Sequence, residues 1–154
     1  MNRTDLSLRT RSLVRDLTNS FFREIDINNY LNEGIERVGQ VIPELALMSP
    51  LREPLDEVGY MPKPYQHLLA IYCASRLCTQ DERNYQAGIF MNEFETKLHG
   101  LKDAISSGDV DIIDPITGDI IDLFKEPEYV VNNYYYLNNE TFPSKRKLPE
   151  SLED

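Results

Sequence analysis

The sequence predicts a mainly α protein: a four-helix bundle over residues 1–106, a projecting acidic β-hairpin over 107–126 and an extended C-terminal tail over 127–154. Three observations predict it. Apolar residues recur at helical spacing through the first part of the chain; two isoleucine-rich runs then flank a glycine-containing turn; beyond them no period persists. A chain of 154 residues suffices for one compact domain with a real core, and 41% hydrophobic content favours folding over disorder.

The first helix is expected from about Asp5 to Thr18, where Leu6, Leu8, Leu13, Val14 and Leu17 supply an apolar face. Its arginines Arg3, Arg9, Arg11 and Arg15 are expected on a solvated face or against an acidic partner. A second helix follows with Asp26 as N-cap and Ile27, Tyr30, Leu31, Ile35, Val38 and Ile42 as its stripe. Gly34 and Gly39 weaken it, and Pro43 marks its end. Ser49 to Lys63 contains Pro50, Pro54, Gly59 and Pro62, too many breakers for a regular element. It reads as a long connection, a kind that is often functional or interfacial.

From Pro62 to Ser106 the pattern gives two consecutive amphipathic helices with almost no loop between them. Tyr65, Leu68, Leu69, Tyr72 and Leu77 form one stripe, with Ala70, Ala74 and Ser75 small enough for a neighbouring helix to come close. Pro62 and Pro64 fall before or within the first turn, where proline does least harm. Ala87, Phe90, Met91, Phe94, Leu98, Leu101 and Ile105 form the other stripe. The polar stretch Thr79 to Asn84 divides the two. Leu31, Ile35, Leu69, Tyr72, Phe90, Phe94 and Leu98 are the expected meeting point of the bundle.

Composition then changes. Val110 to Asp114 and Asp119 to Leu123 flank Pro115-Ile116-Thr117-Gly118, the pattern of a β-hairpin with a tight turn. Between Asp109 and Glu128 seven acids stand against the single Lys125. Two strands alone are marginal and need something to lie against, so Ile112 and Ile120 are candidate protein-interface residues. The tail has no period but many aromatics. Tyr129, Tyr134, Tyr135, Tyr136 and Phe142 are the remaining interface candidates, since irregular segments with aromatic anchors commonly order on binding.

Known chemistries find little purchase. A formal net charge of -10 disfavours binding to nucleic-acid phosphates, which needs clustered Lys and Arg. Cys73 and Cys78, about 140° apart on a helix of roughly 3.6 residues per turn, are expected as buried reduced thiols, which suits an intracellular origin. The arginine-bearing N-terminus has no signal-peptide run, no stretch is long enough to span a bilayer, and no membrane role is expected. Asp109 and Asp111 have the spacing that opens a calcium loop, but Ile113 occupies the next ligand position and Asp114 the glycine position. His67 and His99 stand on separate helices without metal-ligand companions. Glu33, Glu36, Glu93 and Glu95 lack the Glu-x-x-His pairs of di-iron bundles. Phosphate-loop, GxSxG and HExxH motifs are missing. No catalytic residue, cofactor or metal is expected; the chain reads as a binding protein rather than an enzyme.

Three stretches carry a family resemblance. The first joins Leu13-Val14-Arg15-Asp16-Leu17 to Asp26-Ile27-Asn28-Asn29-Tyr30-Leu31-Asn32-Glu33-Gly34-Ile35. The second is Pro64-Tyr65-Gln66-His67-Leu68-Leu69-Ala70-Ile71-Tyr72-Cys73-Ala74. The third runs from Tyr85-Gln86-Ala87 to Phe94-Glu95-Thr96-Lys97-Leu98. In this order they resemble the head-to-tail connector, or adaptor, proteins of long-tailed bacteriophages, with Gly34 where that family more often has Ala.

The resemblance implies a structural adaptor forming a ring, dodecameric in expectation, beneath the capsid portal. It would join the phage head to the tail and leave a channel for DNA. Its partners would be the portal protein, a head-completion or tail protein and further copies of itself, with DNA passing without specific binding. Its place would be the neck of the virion, after assembly in the host cytoplasm. The alternative is an intracellular helical regulator that binds another protein through its bundle.

Overall fold

Asn2 starts the first helix. Its side chain accepts the Asp5 N–H at 2.8 Å while Asp5 Oδ2 accepts the Asn2 N–H at 3.2 Å, a reciprocal cap that sets α1 at Arg3–Val14. In the computed structural model, which describes residues 1–122, α1 is followed by α2 (Glu24–Val41), α3 (Leu68–Gln80) and α4 (Asn84–Ser107). Short 3-10 turns at Pro43–Leu45 and Lys63–Tyr65 bracket the long connection. The described protein is mainly helical.

α1 ends before the expected Thr18 because Arg15 turns left-handed, with φ 64°. α2 begins before the expected cap. Arg23 holds the cap position without a side-chain bond to the helix N–H groups, and Asp26 lies inside the first turn, where it pairs with Arg23 at 2.9 Å. A carboxylate there also meets the positive end of the helix dipole. Gly34 has a packing reason: a Cβ at that position would come within 3.1 Å of the Tyr72 ring, so glycine lets α2 lie close to α3.

α3 packs against each of the other three helices. Every residue from Leu68 to Ser75, and then Leu77 and Cys78, is buried, so the expected stripe is in fact a helix covered nearly all round. Asp81 to Arg83 alone separate it from α4, and Ser75 Oγ donates to the Ala87 carbonyl across the joint at 2.8 Å. Leu31, Ile35, Leu69, Tyr72, Phe94 and Leu98 are buried as expected. Phe90 is a correction: it is only half-buried, on the flank of α4.

The long connection is tied down by Gln66. Its amide donates to the Val58 and Met61 carbonyls at 3.2 and 2.9 Å and its oxygen accepts the Met1 amine at 2.6 Å. Leu51 N–H and carbonyl are both satisfied by Asn32, at 2.7 and 3.0 Å.

The segment after α4 departs from the expected projecting hairpin. Its turn closes, with Gly118 N–H on the Asp114 carbonyl at 2.8 Å and Asp114 N–H on the Asp119 carbonyl at 2.9 Å. The pairing is nevertheless reduced to an isolated bridge between Ile113 and Ile120, and no strand forms among the described residues. Ile112 is only 1% exposed, and Ile113 also bridges Tyr60, so the segment is drawn onto the long connection instead of standing free. Pro115 packs where a Cβ on Gly59 would sit, at 2.9 Å. Met1–Ile121 form one compact unit. Tyr129, Tyr134, Tyr135, Tyr136 and Phe142 lie outside the described residues. Among those described, no helix is long and apolar enough to cross a membrane.

Candidate functional site

The loop between α1 and α2 is built around one buried carboxylate. Asp16 accepts N–H bonds from Ser20, Phe21 and Phe22 at 3.2, 3.1 and 3.0 Å and pairs with Arg11 at 2.6 Å. Arg11 also donates to the Phe22 carbonyl and to Glu24, at 3.0 and 2.9 Å. Burial raises the Asp16 pKa, but the three N–H donors and Arg11 outweigh it, and the net shift is downward. Glu24 follows the same pattern: burial raises it, and hydrogen bonds from Arg11 and Ser7 bring it below its ordinary value. Of the two places expected for the arginines, a solvated face or an acidic partner, Arg11 takes the second, and its partners Asp16 and Glu24 belong to its own chain.

This clamp leaves the two adjacent phenylalanines in different surroundings. Phe22 is buried under the Arg83 guanidinium, 5.9 Å from its ring centre, while Phe21 stacks on it at 4.9 Å and faces solvent. Leu17 is exposed in the same loop. Arg83, which also donates to the Val14 carbonyl at 3.5 Å, brings the joint between α3 and α4 to this place, and Tyr85 beside it is 83% exposed. Leu17 and Phe21 on the loop, and Tyr85 just past the joint that Arg83 brings to it, are thus large apolar side chains left exposed. Exposed apolar groups held on a rigid base are what a protein partner can desolvate, with aromatics contributing most.

A second exposed surface is the acidic turn. Asp114 Oδ1 accepts the Ile116 N–H at 2.8 Å and fixes the turn, leaving Ile116 88% exposed, with Ile113 and Ile120 also facing solvent. Of the two candidate isoleucines, Ile120 is thus available on the surface. Ile112 is taken up by the chain's own interior.

An open groove of about 360 Å³ lies between α2 and the turn after it, lined by Ile35, Gly39, Leu45 and Met48 among others. Its polar lining, Glu36 and Gln40, offers no acid–base pair. His67 lies below its ordinary pKa because of partial burial and the nearby positive charge of Lys97 and Arg9, which leaves it neutral near pH 7. Cys73 and Cys78 are free and buried, and burial pushes both thiols up. Glu33 accepts from Tyr72 at 3.0 Å and meets Arg76 at 2.7 Å; Glu95 pairs with Arg37 at 2.8 Å; Glu93 pairs with Lys97 at 2.8 Å. Among the described residues no three His, Cys, Asp or Glu side chains gather as a metal site.

Asp16, Gln66 and Arg83 organise these surfaces and were not singled out by sequence pattern. The signal for Asp16 was local: an Asp followed by Asn19 and Ser20 is a turn composition in which the side chain caps backbone N–H groups. No protein-family model matches the chain, and neither a curated protein nor a solved structure does.

Proposed function

We propose that this chain is a structural adaptor of the head-to-tail connector kind, forming a ring beneath the capsid portal of a long-tailed bacteriophage. One observation carries the proposal: the ordered succession of the arginine-bearing α1, the Leu-Asn-Glu segment of α2, the Pro-led and Ala- and Tyr-rich α3, and α4 resembles that family. Support comes from four helices at those positions and from the exposed apolar side chains Leu17, Phe21 and Tyr85. In the neck of the virion the portal would lie on one side and a head-completion or tail protein on the other. A surplus of acid suits a channel that DNA traverses without sticking, because like charge repels the duplex.

In the assembled particle Val110 to Leu123 completes its two strands against a neighbour, and residues 127–143 dock on the portal or an adjacent copy through Tyr129, Tyr134, Tyr135, Tyr136 and Phe142. Electron micrographs of the protein mixed with its portal should reveal a ring with a central channel. Portal particles without added density would overturn the proposal. The exposed apolar side chains also favour a second reading, an intracellular helical regulator, which a one-to-one complex with a non-portal protein would support.

A further inference from the structure

Two exposed surfaces of this unit differ in sign. From the middle of α1 into its loop, Leu8, Leu17 and Phe21 are exposed beside Arg9 and Arg15, which make no ion pair among the described residues. At the turn after α4, Ile113, Ile116 and Ile120 are exposed beside Asp111 and Asp119, equally without an ion pair among the described residues.

Within one chain no ion pair joins Arg9 or Arg15 to Asp111 or Asp119, and the turn and the Phe21 end of the basic surface lie at opposite ends of α3. The acidic turn is bridged to Tyr60, in the connection that Gln66 ties just ahead of α3. The loop bearing Phe21 is held beside Arg83, just beyond the other end of that helix. Thirteen helical residues separate the two ends, about 20 Å at roughly 1.5 Å per residue.

We infer that the acidic isoleucine turn of one copy docks on the surface of α1 and its loop that bears Arg9 and Arg15 in a second copy. This rests on the self-assembling reading above and names its contact. Opposite charge steers the two surfaces together and sets their register, and the isoleucines and Leu8, Leu17 and Phe21 supply the apolar area. The surfaces are different patches of the same chain, so the contact is head-to-tail and repeats until rotation closes it. Asp114 keeps its side chain for the turn and takes no part.

The test uses the purified full chain without portal, its mass followed against concentration by sedimentation. The parent should self-associate more weakly as salt rises. Arg9→Glu with Arg15→Glu should weaken association by about tenfold or more, as should Asp111→Lys with Asp119→Lys, and combining the four should restore it. Ile116→Ser, at a tip that bears no part of the core, should weaken association while leaving the circular dichroism unchanged; it decides the matter if the charge variants misfold. A parent monomeric at every concentration, charge variants that associate like the parent, or a quadruple variant that fails to recover each overturns the contact. A portal-bound ring indifferent to these substitutions would overturn it and leave the adaptor reading standing. Charge-swap recovery with a chain that ignores portal would do the reverse.

Discussion

Arg11 and Asp16 form an ion pair inside the protein: Nη1 lies 2.6 Å from Oδ2, and the side chains are 5% and 2% exposed. A buried pair of this kind adds little over an apolar substitute, but losing one member strands the other charge. Here it would also release three backbone N–H groups. Asp16→Ala is therefore expected to cost about 3–5 kcal/mol in urea unfolding, and Asp16→Asn less, because one acceptor oxygen remains. Stability within 1 kcal/mol of the parent for the alanine variant, about the size of an ordinary surface change, would count against the clamp.

The same carboxylate sets a pH dependence. Asp16 titrates below its ordinary value of 3.8 in the folded chain, so as pH falls the unfolded chain takes up the proton first. Its contribution is full above that ordinary value and is lost as pH falls through the lower folded one. Melting temperature should drop between about pH 5 and pH 2, and the drop should be shallower in Asp16→Ala. Parallel curves for the two proteins would refute the assignment.

Phe94 is fully buried, its ring edge-on to Tyr72 with centres 5.1 Å apart. Replacing it by Ala should cost about 3–5 kcal/mol, and the same change at half-buried Phe90 clearly less. Ile112→Ala should cost about 2–5 kcal/mol, because this isoleucine belongs to the interior. Denaturant midpoints rank the three, and Phe90 ranking first would reverse the packing described here.

Glycines of the helices should respond in opposite directions. A Cβ on Gly88 or Gly100 of α4 meets nothing within 4 Å, so Ala at either should raise stability by about 0.5–1 kcal/mol. Gly34→Ala should lower it. The Tyr72 ring in its way is held by Glu33 and by Phe94 and has little room to yield. Thermal melts of the single variants decide this, and a gain at Gly34 would mean that the ring gives way.

Cys73 and Cys78 should react with a thiol reagent only through unfolding, since both are buried and burial raises their pKa. Labelling should be negligible in native buffer and complete in denaturant. Rapid labelling of either cysteine in the native protein would contradict its position.

Helices were legible in the sequence wherever the period was long. α3 and α4, their tight joint and six of the seven expected core residues follow from spacing alone. Boundaries were less so: Asn2 capped α1 earlier, and Asp26 lay inside α2, because caps depend on one or two hydrogen bonds rather than on a repeated pattern. Burial of Arg11 was illegible for a different reason. An arginine at helical spacing reads as surface until its partners Asp16 and Glu24 are known, and the fold brings those together. Ile112 was assigned to an interface because alternation reveals a two-faced segment without saying what covers either face. Arg83 brings the joint between α3 and α4 to Phe22 and Val14, residues distant in sequence, and no linear motif records that.

α3, enclosed by its three neighbours, carries a consequence for how the molecule opens. Peeling away α1, or fraying the end of α4, leaves most of its peptide groups still covered by the remaining helices, so no small fluctuation bares them all. In deuterated water the amides from Leu69 to Cys78 should be the last to exchange, at a rate governed by complete unfolding. Their protection then reads the conformational free energy of the entire Met1–Ile121 unit from the innermost helix alone.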